Sequence, residues 1–159
     1  RIKSGNAMDI RYLADNTEFI PRLAKLLHAE WDFLYPDATI QTRYDRLVSY
    51  CNRDRVPLSF VALDDGRLLG TYNIILSDIK KHPELSPWLA SVYVVKEYRG
   101  RGIGTELVKH AMAQCGRLSI PRLYLWTDKQ RDFYGSLGWK PLSHEPYQTI
   151  EVDIMYFEG

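Results

Sequence analysis

Apolar positions along the chain change their period several times, and each change marks an element. Met8 to Leu13 alternates, with Asp9 and Arg11 facing one way, which predicts a first strand. The period then lengthens. Phe19, Ile20, Leu23, Leu26, Leu27 and Trp31 fall on one side of a helix. Asp15, Asn16 or Thr17 can cap it, and Pro21 fits its first turn, where a missing N–H costs little. Tyr35-Pro36-Asp37 ends that helix, and Thr39 caps a second, Ile40 to Tyr50, with Tyr44, Leu47 and Val48 on one side. Leu58 to Leu63 and Leu68 to Leu76 flank Asp64-Asp65-Gly66-Arg67, which predicts a hairpin. Ser77 to Pro87 is polar and holds Pro83 and Pro87, so it reads as a loop. Leu89 to Val95 is β-branched and aromatic, as a buried strand is. Ile103, Leu107, Val108, Ala111 and Met112 then return to helical spacing. Ser119-Ile120-Pro121 turns into a strand at Leu123 to Thr127, and Asp132 to Leu137 makes a short helix closed by Gly138. Trp139 begins another strand, Ser143 to Pro146 predicts a turn, and Thr149 to Phe157 is the last strand. The expected order is β, α, α, β, β, β, α, β, α, β, β.

One junction carries chemistry. Between the Leu89 strand and the helix that follows lies Tyr98-Arg99-Gly100-Arg101-Gly102-Ile103-Gly104. A helix start leaves backbone N–H groups without intrahelical partners and places the positive end of a helix dipole beside them. Gly102 and Gly104 let a ligand approach the backbone, and Arg99 and Arg101 add fixed positive charge. The turn reads as an anion cradle suited to a pyrophosphate. It is not a phosphate loop, because no Gly-Lys-Ser/Thr closes it. It is not a dinucleotide fingerprint either, since the glycines fall as G-x-G-x-G rather than G-x-G-x-x-G. A glycine-rich turn with solvated arginines is the alternative on this loop alone.

A second segment lies downstream: the strand Leu123-Tyr124-Leu125-Trp126-Thr127, then Phe133-Tyr134-Gly135-Ser136-Leu137-Gly138-Trp139. Arg99-x-x-Gly102-x-Gly104 resembles the acyl-CoA signature Arg/Gln-x-x-Gly-x-Gly/Ala of the GNAT family of N-acetyltransferases, and the second segment resembles that family's Phe-Tyr-x-x-x-Gly-Phe/Trp. The likeness is close from Trp88 to Trp139 and elsewhere extends only to the order of elements.

The resemblance implies an α/β fold: a mixed sheet of about seven strands, helices on both faces, and a splayed parallel pair formed by the Val92 and Leu123 strands. The pantetheine arm of acetyl-CoA would enter that gap. Backbone groups of Val92, Tyr93 and Val94 would meet the thioester, and Arg99, Gly100, Arg101, Gly102, Ile103, Gly104 and Thr105 the diphosphate, with Thr127, Phe133 and Tyr134 along the arm. Tyr134 is the candidate general acid for the leaving thiolate, or else a core aromatic. Many members carry a glutamate early in the central strand, where Trp88 or Leu89 stands here, so no base carries over. Glu30, Asp32, His82 and Glu84 are candidates by chemistry alone, or surface groups. A water route past Ser91, Thr127 and Asp128 is the other option. The acceptor pocket would draw on Trp31, Asp32, Tyr35, His82, Trp88 and Tyr147, whose aromatics can hold an amine by cation–π contact or simply pack the core.

Composition narrows this without redirecting it. At 159 residues one domain is expected, with residues 1–7 an expression-tag remnant and 8–159 a single acetyltransferase domain. The net charge of +1 offers no broad field for nucleic acid or an anionic membrane. No apolar run suits a membrane span and no signal peptide is evident. Cys51 and Cys115 lack metal-ligand spacing, which favours structural thiols in a reducing, cytoplasmic setting over a disulfide. The leading expectation is acetyl transfer from acetyl-CoA to a primary amine of a small molecule or peptide, by direct attack in a ternary complex, in a monomer or homodimer. A non-catalytic acyl-CoA sensor or partner-binding module, and a nucleotide-phosphate-binding protein, are the readings from other classes.

Overall fold

Apolar strands bounded by polar turns mostly pair with their sequence neighbours here, because short connections bring neighbours together. The computed structural model describes residues 8–159, and the reading of 1–7 as a tag lies outside the described residues. Strand β1 (Asp9–Tyr12) is followed by helices α1 (Ile20–Trp31) and α2 (Ile40–Ser49) and by the hairpin β2 (Leu58–Asp64) and β3 (Arg67–Ile75). Then come β4 (Trp88–Val94), α3 (Ile103–Arg117), β5 (Arg122–Thr127), α4 (Arg131–Ser136), β6 (Lys140–Tyr147) and β7 (Ile150–Glu158). The strands form one seven-stranded sheet in the order β1-β2-β3-β4-β5-β7-β6. All its pairs are antiparallel except β4 with β5.

Helices cover both faces. Leu107, Val108 and Ala111 of α3 pack on Phe60, Tyr72, Leu89 and Leu123. On the other face Leu23, Leu27 and Leu47 of α1 and α2 pack on Val61, Leu68 and Tyr93. A smaller cluster of Trp88, Tyr124, Val152 and Ile154 is closed by Ile79 of the loop after β3. Gly70 of β3 sets how near the layers come: a Cβ there would stand 2.6 Å from the Tyr93 carbonyl oxygen and 3.1 Å from Leu107 Cδ1.

Three local expectations are corrected. The cap of α1 is Phe19, without a side-chain hydrogen bond, because two short 3-10 turns (Leu13–Asp15 and Thr17–Phe19) lead into the helix. Asn16 instead donates from Nδ2 to the Tyr12 carbonyl at 2.9 Å. Val48 is exposed and Arg43 takes its place on the buried side of α2. The predicted turn at Ser143 to Pro146 is strand; the chain reverses between Tyr147 and Ile150, with Gln148 at φ +53°. Thr39 does cap α2, in a reciprocal capping box with Thr42.

Candidate active site

Strands β4 and β5 share a single register pair, Trp88 with Tyr124, and one bond from the Tyr124 N–H to the Pro87 carbonyl at 3.0 Å. Beyond it they separate. On its other edge β4 carries a bulge, where Ser91 and Val92 face the single residue Tyr72 and Ser91 takes φ +54°. The extra residue moves the alternation by one: Leu89 faces α3 before the bulge, Val92 and Val94 after it. Tyr93 is thereby turned to the α1 side. A cleft of about 610 Å³ lies in this fork and is lined by residues from both faces of the sheet.

The α3 side has the features that suit an anion. Gly102 caps the helix at φ +81°, a left-handed conformation that suits glycine, and a Cβ there would meet nothing within 4 Å. No side chain caps α3, and its first bond runs from the Glu106 N–H to the Gly102 carbonyl at 3.2 Å. The N–H groups of Ile103, Gly104 and Thr105, all on the cleft wall, therefore precede the helical ladder. Gly104 sits where a Cβ would touch Val94 at 3.8 Å and Phe133 at 3.9 Å, between the two sides of the fork. Arg99 donates from Nε to the Val94 carbonyl at 2.9 Å, stands over the Tyr93 ring at 5.3 Å, and reaches within 3.9 Å of Glu30. Arg101 differs from expectation. Its guanidinium lies over the Tyr98 ring at 5.7 Å and off the cleft wall.

Val92, Tyr93, Val94, Gly100, Thr127, Phe133 and Tyr134 line the cleft. Thr127 Oγ1 also accepts the Gln130 N–H at 2.9 Å, which shapes the turn into α4. The Tyr134 ring is wedged between Phe133 at 5.0 Å and Trp139 at 6.1 Å, and burial pushes its phenol up to about 12. It is thus protonated at neutral pH, a proton donor on the wall of the fork.

The opposite face gathers the acceptor candidates selectively. Trp31 and Tyr35 line the cleft, while Tyr147 stands behind, its hydroxyl 2.9 Å from that of Tyr35. Burial and this bond hold the Tyr35 phenol far above its ordinary range. Asp32, His82 and Trp88 lie elsewhere. Asp32 is buried in an ion pair with Arg43 and bonds His28 Nδ1 at 2.9 Å. His82 bonds Glu145 at 2.6 Å and Glu84 at 3.3 Å, tying the loop after β3 to β6. Trp88 is fully buried and donates its indole N–H to the Leu85 carbonyl at 2.6 Å. Of the four base candidates only Glu30 reaches the cleft, and Ser91 and Asp128 line it too.

Asp78 and Asn73 are among the cleft residues that the sequence reading missed. Asp78, in the loop after β3, has its carboxyl pushed up to about 6 by burial, against the pull of a Trp126 hydrogen bond and the charges of Arg43 and Arg46. Asn73, paired across the sheet with Ala90 beside the bulge, is 1% exposed, and its Oδ1 has no hydrogen-bond partner. The available signal was position: a carboxylate just past the β3 end, in the loop expected to border the acceptor. Among the described residues no group of three or more His, Cys, Asp or Glu is placed to hold a metal, and no helix is long and apolar enough to cross a membrane.

A profile described as the acetyltransferase (GNAT) family matches residues 20–139. N-alpha-acetyltransferase 30 of Schizosaccharomyces pombe is 33% identical over 85 residues, which is 51% of this chain and 56% of that protein. The match thus spans little more than half the length of that relative. An aminoglycoside 6'-N-acetyltransferase complexed with coenzyme A superposes with a TM-score of 0.73 at 18% identity, covering 95% of this chain and 97% of the other. Spermidine N-acetyltransferase from Vibrio cholerae, in complex with CoA and spermine, gives 0.73 at 18% identity over 98% and 96%. With three quarters of its length inside that profile, and with a forked sheet and an uncapped α3, this chain belongs to the acetyltransferase (GNAT) family.

Proposed function

We propose that this chain transfers the acetyl group of acetyl-CoA to a primary amine by direct attack within a ternary complex. One observation carries the reading: the fork between β4 and β5 connects an uncapped helix start on one face with Asp78 and Asn73 on the other. A cleft lined from both faces supports a thioester and an amine entering from opposite sides and meeting at the bulge. Joint binding in one site removes much of the entropic barrier, up to about 7–11 kcal/mol in favourable cases. Coenzyme A in the solved relatives supports the choice of acyl carrier.

The residues divide the work. The Ile103, Gly104 and Thr105 amides and the Arg99 guanidinium hold the diphosphate. Asp78 takes the proton of the attacking amine as the N–C bond forms, a role that its value near 6 suits at neutral pH. Amides at Val92 to Val94 face the carbonyl oxygen as charge develops there. When the C–S bond breaks, Tyr134 gives its phenolic proton to the thiolate. A value of about 12 makes the phenol a weak acid, yet the same desolvation raises the basicity of a thiolate beside it. Water then returns Asp78 and Tyr134 to their starting states. No side chain forms a covalent intermediate, in keeping with Cys51 and Cys115 both lying off the cleft wall.

Thiol release from acetyl-CoA against a panel of primary amines tests this. Tyr134→Phe should lower kcat by about 10²-fold with acetyl-CoA affinity nearly intact. An unchanged kcat removes the acid role. Tight acetyl-CoA binding with no turnover on any amine favours the sensor reading instead.

A further inference from the structure

The acceptor side of the cleft carries an unusual balance of charge. Asp32 neutralises Arg43 in a buried pair, and Glu30 faces Arg99. Asp128 is followed directly by Lys129 at the rim, so little net charge remains there. Two groups are left over. Asp78 presents a carboxylate, and Arg46, projecting from α2, presents a guanidinium that makes no ion pair within 4 Å among the described residues. The two sense each other's charge without touching. Asn73 adds a second, independent feature: it lines the cleft, and its buried Oδ1 has no hydrogen-bond partner. A buried amide oxygen left without a donor is costly, and an ammonium or amine N–H would satisfy it.

Depth orders these groups. Asn73 pairs with Ala90 next to the bulge and is buried, whereas Arg46 is exposed at the outer end. We propose that the acceptor is a primary amine carrying a nearby carboxylate, held amine-inward by Asn73 and Asp78 and carboxylate-outward by Arg46. The inference rests on the acetyl-transfer reading and narrows it to a substrate class. It sets this chain apart from relatives named for spermidine and aminoglycosides, since a polycation would meet Arg46, which has no carboxylate within 4 Å among the described residues. A free amino acid and the N-terminus of an acidic peptide share the required chemistry.

The experiment measures kcat/KM at saturating acetyl-CoA for matched probes. β-Alanine is compared with β-alaninamide, the peptide Glu-Ala-Ala-amide with Gln-Ala-Ala-amide, and spermidine stands alone. The carboxylate member of at least one pair should be favoured by about ten- to a hundredfold, the range of a hydrogen bond to a charged group. Which pair responds separates the free amino acid from the peptide. Arg46→Gln should bring that ratio towards one, and exposure of Arg46 keeps the fold out of the comparison. Preference for spermidine or for the neutral amides, or a ratio that Arg46→Gln leaves unchanged, overturns the inference while leaving acetyl transfer intact. Absence of turnover on every amine overturns both.

Discussion

Asp78 shows how burial prepares a side chain for one task at a cost to another. A carboxyl raised from the ordinary 3.8 to about 6 is ionised at neutral pH but uncomfortable there, because its charged form is desolvated. As a base it must be ionised, so kcat/KM should rise with pH to a midpoint near 6, before any separate limb from the amine's own proton. Asp78→Asn should abolish that limb and lower kcat by about 10²-fold or more. Linkage gives the opposite sign for stability. The folded state holds this proton more tightly than the unfolded chain, so stability falls as pH rises from 3.8 through about 6. Asn cannot ionise, and the variant should melt higher than the parent at pH 8, by at most about 3 kcal/mol. An Asp78→Asn protein with unaltered pH profile would remove the base assignment. Sequence could not single Asp78 out because a loop has no period from which to infer facing. The same blindness led to Asp32, whose residue type suited an amine pocket but whose carboxylate is spent on buried Arg43. Removing one member of such a pair leaves a buried charge unanswered, at about 3–5 kcal/mol.

At the scale of elements, the loop between β3 and β4 matters as much as the strands it joins. It carries Asp78 and is fastened to β6 through His82 and Glu145, both of whose side chains are mostly shielded. The partner carboxylates hold the His82 imidazole above its usual 6.5, and His82 holds Glu145 below the usual 4.5. Glu145 contributes fully above 4.5 and loses its part as pH falls through its depressed value. His82 contributes fully below 6.5 and loses its part as pH rises through its raised value. The fastening is complete between these limits and weakens on the alkaline side. In an NMR titration the His82 ring should therefore show a midpoint above 6.5 that drops towards 6.5 in Glu145→Gln. A midpoint indifferent to Glu145→Gln would mean that the loop is held by other contacts. His82 was predicted to border the acceptor; it lies off the cleft wall and fastens the loop that carries Asp78. That fastening was hidden because Ser143 to Pro146 reads as a turn. Its prolines, Pro141 and Pro146, are tolerated in β6 because that strand lies at the sheet edge, where a missing donor costs little.

Across the whole molecule the sheet is two parts leaning on each other. Strands β1 to β4 and β5 to β7 meet through one register pair, Trp88 with Tyr124, with α3 packed across the junction. The order of the elements and the glycine-arginine turn were legible in the chain, since strong periods and turn residues are local signals. The fork itself was reached only through resemblance, and the face exchange at Ser91 not at all, because a bulge leaves the apolar pattern intact while reversing what each residue faces. A junction so thinly bonded should be the part of the fold that a ligand in the fork stiffens most. Acetyl-CoA at a hundredfold excess over its Kd adds about 2.7 kcal/mol to native stability, or roughly 5–10 °C in Tm for a chain of this size. Hydrogen exchange should slow at the amides of β4 beyond the bulge, at the start of α3 and at the end of β5 together, because one ligand touches all three. ATP, which offers phosphates without a pantetheine arm, should slow the α3 start alone. Equal protection by ATP, or protection by acetyl-CoA that never reaches β5, would show that the diphosphate site works without the fork, and the through-sheet route for acetyl transfer would fall with it.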